Sequence, residues 1–481
     1  KTVRTTVNKI LSFGEFEPDG NYYVTVSGAG NKSGLSWSNA MDVEKFKSLV
    51  FNSGSYGGTV DTDADVLKYS TLNGATIHMG AGEYVLAAAS GDQPTIGFSS
   101  SSVGSAFNLN IIGGYASDGS QTPDPSVNET VIKGNGDSGV ARVVILEYKS
   151  NVTFNGVTFS GSNGASGGSA CVRVIHGTQT FNNCVFKNNK NTNSAGAMHV
   201  GNAQAVLNNC AFSGNSAASG ACVNISGNAT TAVTLASCSF SDNSAGDYGG
   251  AIRLEKGSLE VNGGTFTNNT ATKQGGAVYL TSADATAAIS GATFTGNGKC
   301  TDTDMGHGGA IWVGGGASAE IVGSTFTSNT ARVGGAIGCA EDATNTNTIS
   351  VDGCTFDANT STGAGGAAIL TSKGTFSVSN SRFVGNHAGG MSGAIRANQT
   401  NATYVFDNVV FKGNYASGSN NGGAVVADNG TYKFNKCCFD GNYANKGGAL
   451  YAGSTNTIYM NDCLFTGNYI TGTYGTTICA N

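Results

Sequence analysis

Proline is nearly missing from this chain, with four in 481 residues. That scarcity suits strands hydrogen-bonded on both sides, where a residue without an N–H has no place. Charge is scarce too: 12% of residues are Asp, Glu, Lys or Arg, and the formal net charge is −6. No basic tract occurs, which argues against nucleic acid or anionic lipid as a partner. No apolar run reaches the length of a transmembrane helix. Cys-x-x-Cys spacing is absent, so the twelve cysteines do not form a zinc-finger pattern. The chain starts at Lys1, consistent with an export signal already removed.

Glycine, by contrast, is abundant, with 73 residues, and the sequence repeats. Between Phe186 and Asn468, Phe-x-x-Asn occurs eleven times, with Phe at 186, 212, 240, 266, 294, 326, 356, 383, 411, 439 and 465, at a mean interval of about 28 residues. Most copies are followed by Gly-Gly-Ala and an apolar residue, as in Gly249-Gly250-Ala251-Ile252. A period in the twenties marks a repeat architecture. Within one unit, Gly249–Leu254, Ser258–Val261 and Thr265–Asn269 read as three short strands with two-residue alternation. No helical period competes. The fold expected is all-β: a right-handed single-stranded parallel β-helix, one coil per repeat, with coils about 4.8 Å apart. Phe then forms an inward ladder, the Gly pair turns the chain where φ is positive or a side chain would clash, and Asn sits at a corner with its amide bonded to the Asn above and below.

Residues 1–72 break the pattern. A strand at Tyr22–Gly28 and an amphipathic helix over 41–51, with Val43, Phe46 and Val50 on one face, read as an N-terminal cap over the first open strand edge. The β-helix is expected over 73–481, irregular to about 150 and regular from about 151. At Thr477–Asn481 the chain reaches the start of another coil, so either the natural protein continues or a partner covers that edge.

Six cysteines (184, 210, 238, 354, 437 and 463) stand two residues before the repeat Phe, and four more (171, 222, 339 and 479) fall in apolar columns. Stacked Cβ atoms about 4.8 Å apart are too far for ideal bridges, so most are expected as free, buried thiols.

Alternation places the second residue after each repeat Ala outward. That column reads His199, Val223, Arg253, Tyr279, Trp312, Gly338, Ile369, Arg396, Val426 and Tyr451. Arg253, Tyr279, Trp312, His199, Arg396 and Tyr451 are the candidate ligand-binding residues, because flat rings stack on sugars and Arg supplies forked donors. The competing view is that aromatic and β-branched residues are simply good strand formers. The longest repeat inserts Asp302, Asp304 and His307, a weak candidate set for a divalent cation such as Ca²⁺. No other cofactor is indicated. Glu255 and Asp428 share a column but lie six coils, roughly 29 Å, apart. That is too wide for a glycosidase pair, and enzymatic activity is left without support.

Phe240-Ser241-Asp242-Asn243 with Gly249-Gly250-Ala251-Ile252, and Phe439-Asp440-Gly441-Asn442 with Gly447-Gly448-Ala449-Leu450, resemble the repeat of chlamydial polymorphic membrane proteins. The resemblance implies a surface-exposed adhesin or autotransporter passenger. Tyr23–Gly28, Gly34–Ala40 and Ile77–Tyr84 resemble the opening of secreted pectin-lyase-like β-helix proteins. No active-site motif of either family can be placed on this chain. The leading expectation is a secreted or cell-surface bacterial protein, adhesin-like, binding polysaccharide or another surface ligand along the exposed strand face. The alternatives are a polysaccharide lyase or glycoside hydrolase, and a non-binding spacer.

Overall fold

The computed structural model describes residues 20–50, 72–85, 96–99, 107–134, 143–147, 150–164, 170–300, 302, 306–339, 346–363, 365–371, 374–472 and 476–480. The chain divides into two compact units, one of residues 1–216 with 231–233, the other of 217–230 with 234–481. Both are parallel β-helices.

In the first unit the strand Asn21–Val24 pairs in parallel with Ala75–Gly80, which continues to Phe107–Tyr115, Ser150–Asn155, Thr178–Asn182 and Gln204–Asn208. The opening strand therefore covers the first coil by extending its sheet. The helix Val43–Val50 lies against this end with Phe46 and Val50 buried, and the Phe46 ring meets Tyr84 edge-on at 6.3 Å. Val43 is only partly buried.

The second unit carries the regular coils. One coil contributes Ile252–Leu254, Gly257–Asn262, Thr265–Thr267 and Thr270–Ala271, four short strands rather than the expected three, distributed over three sheets. The extra strand holds two residues, below the length at which alternation can be read from sequence. The first three pair residue for residue with the next coil, and Thr270–Ala271 does so with the preceding one.

The interior follows from this register. Phe240, Phe266, Phe294, Phe326, Phe356, Phe383, Phe411, Phe439 and Phe465 stack in one column at centroid spacings of 4.6–5.2 Å. Beside it runs a column of buried asparagines whose amides are fully used. The Asn297 Nδ2 donates to the Phe266 carbonyl (2.8 Å) and to Asn329 Oδ1 (3.0 Å), while Asn297 Oδ1 accepts from the Asn269 backbone N–H and side chain (3.0 Å each). An amide offers two donors and two acceptor sites, so burial leaves none unmet. These asparagines are not themselves the corner. The residue before each one takes the left-handed conformation, as at Asn268 (φ 54°), Ser328 (φ 55°) and Ala358 (φ 51°). That frees the Asn to turn inward.

The Gly pair divides its work. At Gly308 φ is +66°, whereas a Cβ on Gly309 would lie 2.1 Å from the Gly335 carbonyl oxygen of the next coil. All twelve cysteines are free thiols; nine are buried, and Cys438, Cys463 and Cys479 are partly exposed. Cys184 Sγ donates to the Phe154 carbonyl at 3.5 Å and Cys437 Sγ to that of Phe406 at 3.5 Å. Burial pushes the Cys437 thiol up to about 12 and that of Cys354 up to about 11.

Candidate functional site

The strands Ile252–Leu254, Val278–Leu280, Ile311–Val313 and Ile337–Cys339 pair in sequence, which sets Arg253, Tyr279, Trp312 and Gly338 side by side on the outward column. Two positions read into this column from sequence do not belong there. Val223 pairs with Ile252 and Ile369 with Ile337, both inward; Asn224 and Leu370 occupy the outward places. In those two coils Cys222 and Ala368 fill the repeat-Ala position, one residue later than the Gly-Ala count suggests. Val426 is in register with Arg396 but is fully buried.

Pointing outward does not make the rings accessible. Tyr279 is 9% and Trp312 3% exposed. The cause is the residue just before each Gly pair. Tyr248, Gln274, His307 and Val333 are bridged in parallel from coil to coil, and the chain then doubles back at the Gly pair. Tyr248 stacks on Tyr279 at 4.7 Å, and His307 lies 5.2 Å from the indole of Trp312. On its other side Trp312 packs over Gly338, where an added Cβ would come within 2.8 Å of the indole. The picture of Tyr279 and Trp312 as open platforms for sugar is therefore corrected: their faces are already covered, and they fasten the corner to the strand.

What remains accessible on this column is polar. Arg253 is ion-paired with Glu255, both partly exposed. Beside them Lys273 pairs with Asp247 at 2.7 Å, its ammonium 5.3 Å over the Tyr248 ring. The hydrogen bond to Asp247 raises the Lys273 pKa. Further along, Arg396 Nε donates to Asp428 Oδ2 at 2.8 Å, with the two side chains 20% and 21% exposed. Tyr451 follows on the next coil, partly exposed, its hydroxyl pKa raised by burial first and by Cys479 and Asp428 after it. His199, in the first unit, pairs in register with Arg173 and is half-exposed. The structure thus brings Arg253 and Tyr279 into one cluster and Arg396 and Tyr451 into another.

Of the cation candidates, Asp304 lies outside the described residues. The His307 imidazole is depressed to about 4, by burial first and by Arg332 second, with Asp302 opposing. Among the described residues no group of three His, Cys, Asp or Glu side chains is placed to hold a metal. No helix among them is long and apolar enough to cross a membrane.

Sequence reasoning missed Tyr248, Lys273 and Asp247, and it missed a second aromatic row. His387, Tyr415, Tyr443 and Tyr469 stack on successive coils at 4.2, 4.8 and 4.9 Å, each directly after a repeat Asn. That position was a usable signal. Rings stacked face to face present edges and hydroxyls outward, not sugar-binding faces.

Residues 142–326 match the family described as "Right handed beta helix region", and residues 436–453 match the "Chlamydia polymorphic membrane protein (Chlamydia_PMP) repeat". The fold is a right-handed parallel β-helix. Its other Phe-x-x-Asn and Gly-Gly-Ala units resemble the matched polymorphic-membrane-protein repeat, and the combination suggests a bacterial surface protein of the passenger type. Neither a curated protein nor a solved structure matches the chain significantly.

Proposed function

We propose that this chain is an adhesin-like surface protein that engages glycans or other surface ligands through the polar clusters of its outward strand column. One observation carries the reading. In a chain with only 12% charged residues, two partly exposed Arg–carboxylate pairs, Arg253–Glu255 and Arg396–Asp428, stand on that one column. Each guanidinium is held in place by its carboxylate, with less conformational freedom left to lose on binding. Tyr248 and Tyr451 extend the clusters with ring edges and hydroxyls.

The test is a glycan and matrix-protein array probed with wild type, Arg253→Ala/Arg396→Ala and Trp312→Phe. The double variant is expected to lose at least tenfold in binding, and Trp312→Phe to bind as wild type. Full binding by the double variant overturns the proposal.

A further inference from the structure

The first unit holds a groove that none of the strand-column candidates touches. Its volume is ≈ 380 Å³, in the range of small-ligand sites. Asn108, Asn110, Asn151, Thr153, Thr178 and Thr180 line it, Gly74 and Thr76 stand at one end, and no lining residue is charged.

The lining is ordered by the coils. Thr76, Asn110, Thr153 and Thr180 are register partners on four successive coils, giving one outward row of hydroxyls and amides. At about 4.8 Å per coil the row spans roughly 14 Å, a length that takes about three sugar rings end to end. A second row lies beside it. Asn151 Nδ2 donates to Asn108 Oδ1 at 3.2 Å, and Asn151 Oδ1 accepts the Thr178 N–H at 3.1 Å. Asn110 Oδ1 accepts from Asn155 Nδ2 at 2.8 Å, which aims the Asn110 amide nitrogen away from that bond. The asparagines are thus fixed before any ligand arrives. The hydroxyls of Thr76, Thr153 and Thr180 have no hydrogen-bond partner among the described residues.

From this we infer that the groove binds an uncharged polysaccharide lying along the coil axis, its hydroxyls exchanging hydrogen bonds with the Thr76–Asn110–Thr153–Thr180 row. The chemistry selects the class. A groove without charge offers a uronate or sulfated chain no compensation for desolvation, whereas side chains that both donate and accept match sugar hydroxyls. An extended peptide would seek unpaired backbone groups at a sheet edge, and these strands are paired on both sides. The inference rests on and deepens the reading of a glycan-binding surface protein, through residues other than the Arg clusters.

Calorimetry of the full chain with cellohexaose, xylohexaose, mannohexaose and laminarihexaose, and with hexagalacturonate as the charged control, tests it. At least one neutral hexasaccharide is expected to bind with an affinity independent of salt, because no ion pair forms. Thr153→Val/Thr180→Val, which keeps the β-branched shape and removes both hydroxyls, is expected to weaken that binding about tenfold. Its melting temperature should stay at the wild-type value. The strand-column reading is tested separately by the Arg253→Ala/Arg396→Ala array, in which Thr153 and Thr180 are untouched, so failure here is distinguishable from failure of that reading. Binding of none of the neutral probes, preference for hexagalacturonate, or unaltered affinity in the Thr153→Val/Thr180→Val protein overturns the inference.

Discussion

The inward and outward columns of the second unit are written by the same repeat and obey different rules. Inward, Phe and Asn recur on every coil because each is the neighbour of its own copy, and the stack tolerates only what fits a partner 4.6–5.2 Å away. Outward, Arg253, Tyr279, Trp312 and Gly338 change on every coil, and whether each meets solvent depends on the corner folded over it. Identity is enforced by stacking. Exposure is decided by the turns.

The largest effects belong to the inward column. Phe326→Ala should cost about 3–5 kcal/mol by emptying a site stacked on both sides. Asn329→Ala should cost about 3 kcal/mol or more, since it strands the Asn297 donors and the Phe294 carbonyl in the interior. Urea unfolding read by intrinsic fluorescence checks both. If either proves neutral, the difference between the columns disappears.

Trp312 tests the comparison from the other side. As a covered ring it should behave as core, and Trp312→Ala should destabilise by about 3 kcal/mol. A stability within error of wild type would return it to the surface.

His307, which covers that indole, makes the corner sensitive to acid. Its pKa is about 4 when folded against 6.5 as the reference value. The unfolded chain therefore takes up a proton first as pH falls, so this contribution is intact above about pH 6.5 and is lost progressively down to about pH 4. His307→Gln should flatten the loss of melting temperature between pH 7 and 4.5. An unchanged slope would remove His307 as its source.

The smallest effect concerns the left-handed corner. Ala358 occupies at φ 51° a position where other coils use Gly, Asn, Asp or Ser. Ala358→Gly should raise stability by about 1 kcal/mol, because an L side chain is strained there. A decrease would show that lost chain entropy outweighs the relief.

The repeat made the fold legible because coil stacking turns sequence period into contact. Phe266, Gly309 and the buried cysteines could each be placed from their spacing alone. The candidate site was legible only as a direction. The burial of Tyr279 and Trp312 depends on Tyr248 and His307, which sit in turns whose length varies, and a period says nothing about how a turn folds. Val223 and Ile369 were misplaced for a related reason: Ala221 and Ala367 stand where other coils have the second glycine, so counting from them sets the alternation off by one, and only pairing with the neighbouring coil reveals it. The asparagines were found but assigned to the corner, because the left-handed residue is the variable one before them. The groove escaped notice since Thr and Asn are ordinary strand-surface residues until four coils align them.

The in-register stacking of coils can be tested without a ligand. Thr295 and Thr327 are outward register partners on adjacent coils, 32 positions apart in the chain. Thr295→His/Thr327→His should create a two-imidazole site, so Ni²⁺ should raise the melting temperature of the double variant and of neither single variant. A double variant that responds to Ni²⁺ no more than the singles would contradict the register on which the Phe column, the Asn column and both proposed binding faces depend.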